Sequence, residues 1–462
     1  MKIVLIIPPT PDNKKVVRMI DCSHETKANY LWQPNDFMII TSHLKLEDEV
    51  VFIDGTADAL SDKSFFEEIS KINGADILFF ALSSVCWNSD YDYFKKTKKK
   101  FTDIPVFVIG DIFVEDKYRR LILEECDGIV IQPYQLDIEK MLKIREEKPE
   151  ELKGLCIKPV ESIFNAKKKI QRCEVSNSPR HRLFLKPGYR FPFAKHFKFA
   201  TVTTVWGCPF NCSYCTDSKV SPVVRQYTDI VKELEQIAEL RIKELFFADK
   251  TFGFPYKNAF ALLEEMANRF SFSWSCYFHP QLYDFKLLEA MKKAGCHTII
   301  IGIDSANYDS LVNYNRKVKK EKVEALINHA SKIGMSICAD FILGLDHETE
   351  EDIIKTTEYS LNIPIDFASF NIATPLPGSS IREKAIREGK IKLGEEGFDT
   401  LGNKEILGSD KVSSKKLLEL RKKAIKKFYL RPSYIFNRVR KTTSVEHFMI
   451  QFSEMISMFN KI

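Results

Sequence analysis

Apolar positions along this chain recur at two alternating spacings. Unbroken apolar runs of strand length stand at Lys2–Ile7, Val50–Asp54, Asp76–Ser83, Pro105–Gly110 and Gly128–Gln132. Between them, at Phe37–Leu46, Phe65–Asn73, Tyr91–Phe101, Val114–Glu125 and Ile138–Glu147, the pattern is helix-like. Continuous runs such as ILFFAL and VFVIG suit strands covered on both faces. Five such strand–helix units predict an α/β doubly wound parallel sheet over residues 1–147. Ligands of such sheets bind beyond the carboxyl ends of the strands. Those ends carry Pro8-Pro9, Gly55, Ser83-Ser84, Gly110-Asp111 and Gln132-Pro133. No Gly-x-Gly-x-x-Gly follows the first strand, which disfavours a dinucleotide.

Residues 148–197 read as a connector. Its end, SPRHRLFLKPGYRFPFAKHFK, is too apolar and aromatic for a free linker and is expected to pack across two domains. From Phe199 the alternation restarts. Six strand candidates follow, at Phe199–Gly207, Lys243–Asp249, Phe272–Phe278, Thr298–Asp304, Met335–Gly344 and Phe367–Thr374. Helix-like segments lie between them, at Asp229–Arg241, Asn258–Phe270, Lys286–Ala294, Glu321–Lys332 and Glu350–Leu361. Right-handed crossovers curl such units into a partial (β/α)6 barrel over 198–388, with its chemistry at the strands' carboxyl ends. Residues 389–462 form a basic helical tail. Between Lys411 and Arg440 it holds eleven Lys or Arg and one acidic residue, Glu419, and Pro432 interrupts it.

Composition narrows the picture modestly. Apolar residues at 44% and charged residues at 29% are an ordinary globular mix, which excludes a disordered or fibrous chain. A net charge of +6 over 462 residues is too mild to call for nucleic acid. No run of 18 apolar residues occurs, and Pro8-Pro9 stops the first apolar stretch with no cleavage site behind it. The expectation is a cytoplasmic protein with reduced thiols. Its 35 Phe residues promise large cores or an apolar substrate.

The eleven cysteines are too few for a disulfide scaffold, but three of them are closely spaced. VWGCPFNCSYC, at the end of the first barrel strand, holds Cys208, Cys212 and Cys215 in a Cys-x3-Cys-x2-Cys loop. Three thiolates this close can face one inorganic centre. A structural zinc site wants a fourth ligand. The next cysteine, Cys276, is distant, and no histidine lies in or just after the loop. An iron–sulfur cluster with one open iron fits three ligands. A structural zinc loop is the alternative.

This loop, with Tyr214 before its last cysteine, resembles the motif of radical S-adenosylmethionine (SAM) enzymes. The resemblance covers about 200–385. LFFADKTF resembles the segment that meets the methionine amino group, with Asp249 as its polar residue and Lys250 where a second acid is usual. Gly302-Ile303-Asp304-Ser305 resembles the fourth-strand Gly-x-Glu-Ser, which implies that Asp304 and Ser305 lie near the ribose or carboxylate of SAM. Arg316 is a candidate carboxylate partner, or else a solvated helix-end arginine. ADFILGLDHET resembles the fifth-strand Gly-x-x-x-Glu-Thr, with Gly344 letting the backbone approach the adenine. IATPLPGSSI resembles the sixth-strand Thr-Pro-x-Pro-Gly-Thr. The resemblance implies a 4Fe-4S cluster, SAM and a low-potential electron donor such as flavodoxin or ferredoxin. It also implies a 5′-deoxyadenosyl radical that takes hydrogen from an unactivated carbon.

The first 147 residues, the connector with PRH-x-LF…YRFPFA, and WQPNDFMIITSHLKLEDEVVFIDG together resemble the subclass with an N-terminal Rossmann-like cobalamin-binding-type domain. Asp-x-His-x-x-Gly is missing, since Asp21-Cys22-Ser23-His24 is out of register, and Gln132-Pro133-Tyr134-Gln135 replaces an expected Gly-Glu-Gly-Glu. Ser83, Ser84, Gly110 and Asp111 are the candidate cobalamin contacts. A degenerate, structural domain is the alternative.

The implied activity is methylation, or other modification, of an unactivated carbon in a small apolar, lipid or tetrapyrrole substrate. Carbon–carbon bond formation or cyclisation without methyl transfer is the alternative. A tRNA or protein methylthiotransferase would need an auxiliary cluster, and Cys22, Cys86 and Cys126 sit one per segment. The non-enzymatic alternative is a zinc- or cluster-bearing binding protein. Cys276, Cys296 and Cys338 read as buried small hydrophobes, with Cys276 and Cys338 the two that could face the barrel cavity. Trp87, Tyr91 and Trp206 read as packing residues, with the cobalamin face the alternative for the first two and shielding of the cluster for Trp206. His279 reads as a packed neutral histidine, with an acid or base as its alternative. The basic tail reads as a solvated helical face, with a peripheral membrane contact as its alternative.

Overall fold

A computed structural model describes residues 1–18, 26–28, 30–158, 169–173, 177–392, 397–398, 400–401 and 407–459. The first sheet is formed by β1 (Lys2–Ile7), β2 (Glu49–Asp54), β3 (Ile77–Ala81), β4 (Val106–Ile109), β5 (Gly128–Val130) and β6 (Leu155–Cys156), in the order β2-β1-β3-β4-β5-β6. The first five strands are parallel and β6 closes the edge antiparallel. Helices α1 (Asn35–Thr41), α2 (Asp62–Lys71), α3 (Trp87–Lys98), α4 (Asp116–Leu123), α5 (Ile138–Leu142) and α6 (Ile144–Glu147) cover its faces. Two apolar clusters, one per face, share the sheet between them. That is why its strands read as unbroken apolar runs. The order reverses between β1 and β3, the switch point at which such sheets hold ligands.

The second large sheet is parallel throughout. It joins β8 (Phe199–Val202), β11 (Glu244–Phe247), β12 (Ser273–Tyr277), β13 (Cys296–Asp304), β14 (Ser336–Leu343) and β15 (Phe367–Ile372) in sequence order. Its end strands, β8 and β15, do not pair, so the barrel is partial. Helices α7 (Tyr227–Glu239), α8 (Tyr256–Arg269), α9 (Phe285–Lys293), α10 (Tyr308–Val312), α11 (Lys320–Lys332), α12 (Glu350–Asn362) and α13 (Ser380–Arg387) follow its strands. The expected Phe199–Gly207 strand divides in two. At Thr203 the chain leaves the barrel, and β9 (Val205–Trp206) pairs antiparallel with β10 (Val223–Arg225), which pairs with β7 (Gln171–Cys173). The cysteine loop is therefore the excursion between two antiparallel strands.

The connector packs across both sheets, as expected. Gln33, ahead of α1, donates to the carbonyls of Phe184 (2.9 Å) and Phe199 (3.1 Å) and accepts from the Thr201 amide (2.7 Å). His181 and Arg225 both meet buried Glu233 on α7, at 2.7 and 2.6 Å. Arg382 on α13 is buried against Glu115 from the first sheet, 2.5 Å away.

The tail departs from a solvated face. Helix α14 (Ser414–Tyr429) buries Leu417, Leu420, Ala424, Ile425 and Phe428 against the barrel. Pro432 opens α15 (Pro432–Lys441) at its first turn, where a missing N–H costs nothing. A further helix, α16 (Val445–Phe459), borders the barrel cavity. No helix among the described residues is long and apolar enough to cross a membrane.

Candidate active site at the barrel mouth

The cysteine loop is pinned from three sides. The Trp206 indole N–H donates to Asp36 on α1 (3.0 Å). The Ser213 amide donates to the Tyr314 carbonyl (2.9 Å), and the Ser213 carbonyl accepts from the Ser380 amide (2.7 Å). The Thr216 hydroxyl donates to the Pro377 carbonyl (2.9 Å). Cys212 is buried, and Cys208 and Cys215 are half-buried. Burial raises the Cys212 and Cys215 thiols above their ordinary range. Metal binding would displace those protons. Among the described residues no group of three or more His, Cys, Asp or Glu converges on a single ion. The three thiols on one pinned loop fit a cluster better, because each thiolate there takes its own iron.

Beside the loop lies a buried charged group. Asp304 ends β13 at a bulge in the β13–β14 register, with φ at +69°. A bulge re-aims a side chain, and a non-glycine residue held in the left-handed region is uncommon. Its carboxylate accepts from the Tyr214 hydroxyl (2.9 Å) and pairs with Arg316 Nε (2.7 Å). Arg316 also donates to the Gly302 carbonyl (2.5 Å) and to His279 Nε2, and its Nη1 stands 3.9 Å from Cys212 Sγ. So Arg316 is a buried charge beside the cysteine loop, and the solvated alternative does not hold. His279 stacks on Phe210 of the loop, with ring centroids 3.7 Å apart. Burial, with Arg316 adding to it, pushes His279 down to about 2, so it is a neutral acceptor.

Ser305 and Gly344, from adjacent strand ends, share one partner that residue-by-residue reading missed. Glu348 accepts from the Ser305 hydroxyl (2.6 Å) and from the amides of Gly344 (3.0 Å) and Leu345 (3.1 Å). The signal was available, since Glu348 is the acid of the Gly-x-x-x-Glu-Thr pattern. Gly344 has φ +82°, which favours glycine, and a Cβ there would also crowd the tip of the Leu417 side chain on α14, at 2.6 Å.

Asp249 is fully buried, at the base of the excursion that carries the loop. Its carboxylate accepts from the Thr204 amide (2.6 Å) and hydroxyl, and burial raises it to about 6. The neighbouring Lys250 reaches the loop instead, 2.9 Å from Asp217.

At the ends of the first sheet the candidate contacts hold one another. The Ser83 amide and hydroxyl donate to Asp90 (3.0 and 2.9 Å), which pairs with buried Arg18 at 2.9 Å. The Ser84 amide and hydroxyl donate to Asp111. At Gly110 a Cβ would lie 1.9 Å from the Leu82 carbonyl, so close strand approach alone demands glycine there. A cavity of about 120 Å3 separates Gly110, Asp111 and Ile131 from Trp206, Gly207 and Lys250 across the barrel mouth. Trp87 and Tyr91 stack on each other in the sheet's own core. Asp21-Cys22-Ser23-His24 falls outside the described residues.

The barrel lumen holds a larger cavity of about 800 Å3. Its walls include Tyr30, Trp32, Phe193, Tyr277, Ile300 and Phe367, and it reaches Tyr214 and Lys250 at the cysteine loop. Cys338 lines it, whereas Cys276 packs in the outer core.

Residues 202–359 match the family model of the radical SAM superfamily. The chain carries a radical SAM domain. Its enzyme class is accordingly that of the radical SAM enzymes, which use SAM and a 4Fe-4S cluster. Over 453 residues it is 26% identical to an uncharacterized methyltransferase of Pyrococcus horikoshii, covering 95% of each chain. Its fold matches that of TsrM, a radical SAM methyltransferase from Kitasatospora setae solved with tryptophan substrate and a SAM analogue, at TM-score 0.64. That match has 16% identity and covers 83% of this chain and 76% of that one. It also matches OxsB, a cobalamin-dependent SAM radical enzyme solved with aqua-cobalamin and SAM, at TM-score 0.64. Identity there is 13%, over 99% of this chain and 71% of that one. The fold thus matches these two structures over most of the chain, with a doubly wound sheet ahead of the partial barrel that carries the radical SAM domain.

Proposed function

We propose that this chain is a cobalamin-dependent radical SAM enzyme that methylates, or otherwise modifies, an unactivated carbon of an apolar substrate. The observation that carries this reading is the aromatic-walled lumen of about 800 Å3 that reaches the cysteine loop. Residues 1–147 would serve cobalamin, 198–388 the cluster and SAM, and 389–462 the substrate side. Cys208, Cys212 and Cys215 would hold the cluster and leave one iron open. When bound, the cluster and cobalamin supply reductive SAM cleavage and a methyl carrier.

The chain's own residues do the positioning. Arg316, fixed by Asp304 and His279, offers a guanidinium for the SAM carboxylate. Asp304 and Ser305 border the ribose, and Gly344 borders the adenine. Asp249 holds the first strand's end through Thr204 while Lys250 holds the loop through Asp217. The ends of β4 and β5 face the barrel mouth across the cavity of about 120 Å3, a placement that suits cobalamin between the sheets, near Gly110 and Asp111 with Ser83 and Ser84 behind them. Aromatic walls exclude water, which a radical reaction requires. Among the described residues no disulfide is formed, in keeping with a reducing cytoplasm and a donor such as flavodoxin or ferredoxin.

The test is anaerobic reconstitution with iron and sulfide. Visible charge-transfer absorption should appear, and reduction should convert SAM to 5′-deoxyadenosine and methionine. Cys208→Ala, Cys212→Ala and Cys215→Ala should each abolish both. Wild-type protein that forms no cluster, or cleaves no SAM, refutes the reading. Cobalamin should stay with the protein through gel filtration, and its loss would leave the first sheet structural. Labelled SAM offered with crude lipid and pigment extracts should transfer label to an apolar product.

A further inference from the structure

The lumen has a second end, away from the cysteine loop, and its rim is apolar yet open. Ile435 and Val439 on α15, and Phe448, Phe452 and Met455 on α16, all line the cavity. The same five side chains are 41–66% exposed. They therefore form a doorway between the two helices, held by the Arg438–Gln451 contact at 3.2 Å. Around the doorway the apolar surface continues on residues that do not line the cavity. Phe436 is 69% exposed, Val445 77%, Met449 54% and Ile456 44%. The α16 residues repeat at helical spacing, which gives one continuous stripe. Monomeric soluble proteins seldom leave so much contiguous apolar surface bare.

The tail that carries the stripe is mostly basic. From Lys411 to Phe459 there are twelve Lys or Arg and three Glu, namely Glu419, Glu446 and Glu454. Lys422, Lys423, Lys426, Lys427 and Arg440 are exposed. Glu446 is taken up by the connector, accepting from the Phe197 amide at 2.6 Å. An exposed apolar stripe on a tail that also exposes lysines on α14 and Arg440 on α15 suits helices that lie in the headgroup region of an anionic bilayer. A second copy of this chain would bring the same cations to a two-fold contact, where like charges repel.

We infer that α15 and α16 dock the enzyme on an anionic membrane surface, and that the doorway admits a membrane-borne lipid whose apolar chain runs down the lumen to the cysteine loop. The docking half stands on the surface alone, whereas the lipid half rests on the function proposed above. An extended chain fits a cavity whose lining is mostly apolar, with Lys27, Asp340 and Asn371 among its polar residues, and which is open at a lipid-facing end.

The test is flotation of the full-length chain with phosphatidylcholine vesicles, with and without phosphatidylglycerol. The chain should float with anionic vesicles, less so with neutral ones, and release as salt rises. A triple variant, Phe436→Ser with Met449→Ser and Ile456→Ser, should bind anionic vesicles about tenfold less or weaker still. Its melting temperature and its substrate-free SAM cleavage should be unchanged, since none of the three side chains touches the lumen. Lys426→Glu with Lys427→Glu should remove the preference for anionic vesicles. Wild-type protein that does not float, or a triple variant that floats like wild type, overturns the inference. So does a wild-type dimer that the triple variant dissolves, because a second copy would then cover the stripe. Failure of SAM cleavage in wild type would count against the proposed function and leave the vesicle result standing.

Discussion

Arg316 Nε lies 2.7 Å from Asp304 Oδ2, and both side chains are more than nine-tenths buried. One residue ends β13 and the other precedes α11, so the pair ties the strand end to the following helix beside Cys212. Asp304→Asn leaves the guanidinium charged without its counter-ion. Removing one partner of such a pair costs about 3–5 kcal/mol. Chemical denaturation should show that loss, and SAM binding by the folded fraction should weaken.

His279 accepts from Arg316 and titrates at about 2 instead of near its ordinary 6.5. A depressed folded value means that the unfolded chain takes up the proton first. His279 therefore stabilises the fold fully above pH 6.5, and that contribution falls as pH drops toward 2. His279→Gln keeps an acceptor and should retain SAM affinity. His279→Phe should raise the SAM KM with cluster content unchanged. A limb in the wild-type activity profile near pH 6.5 that vanishes in His279→Gln would contradict a permanently neutral imidazole.

Glu348 is raised by burial from its ordinary 4.5 to about 7. The folded state therefore holds the proton more tightly than the unfolded one. Its favourable contribution is complete below pH 4.5 and is lost as pH rises through 7. Glu348→Gln keeps an oxygen for the Gly344 and Leu345 amides and carries no charge. It should gain stability relative to wild type as pH increases from 5 to 8, by thermal melts across roughly that range. Glu348→Ala should lose about 1–3 kcal/mol at any pH, because two buried amides lose their acceptor.

Asn371 points into the lumen from β15. Asn371→Trp should fill part of the cavity. Substrate modification should fall sharply while SAM cleavage to 5′-deoxyadenosine continues, so the two products separate in one assay. Equal loss of both would mean that the lumen is not the substrate site.

Arg382 and Glu115 join the two sheets across 267 residues of chain. A double-mutant cycle with Arg382→Met and Glu115→Gln should return a coupling energy of about 0.5–3 kcal/mol. A coupling near zero would mean that the sheets dock without this pair.

Much of this molecule was legible in order of sequence. Apart from β6, which comes from the segment read as a connector, the strands of both sheets follow the unbroken apolar runs to within a few residues, because a strand covered on both faces has no polar position to spare. Only Phe199–Gly207 read as one strand where there are two. Nothing local marks the point at which a chain stops pairing with one neighbour and starts with another. The cysteine loop was legible for a different reason, since its three thiols stand close along the chain.

What tertiary structure alone decided is where distant polar groups spend their hydrogen bonds. Asp249, Ser83, Ser84 and Asp111 look like ligand contacts in one dimension, and the fold adds the protein partners that fix each of them in place. Arg316 reads in one dimension as either a carboxylate partner or a solvated helix-end residue, and the fold makes it a buried charge held by Asp304. The basic tail looks solvated along its length, yet one face of α14 completes the barrel core, and α15 and α16 frame the lumen's open end. Apolar periodicity is a property of neighbouring residues, so the sequence by itself determined the elements and the two-sheet order. Burial of a polar atom, and the path of a cavity, depend on contacts between residues hundreds of positions apart, and only the folded chain brings those together.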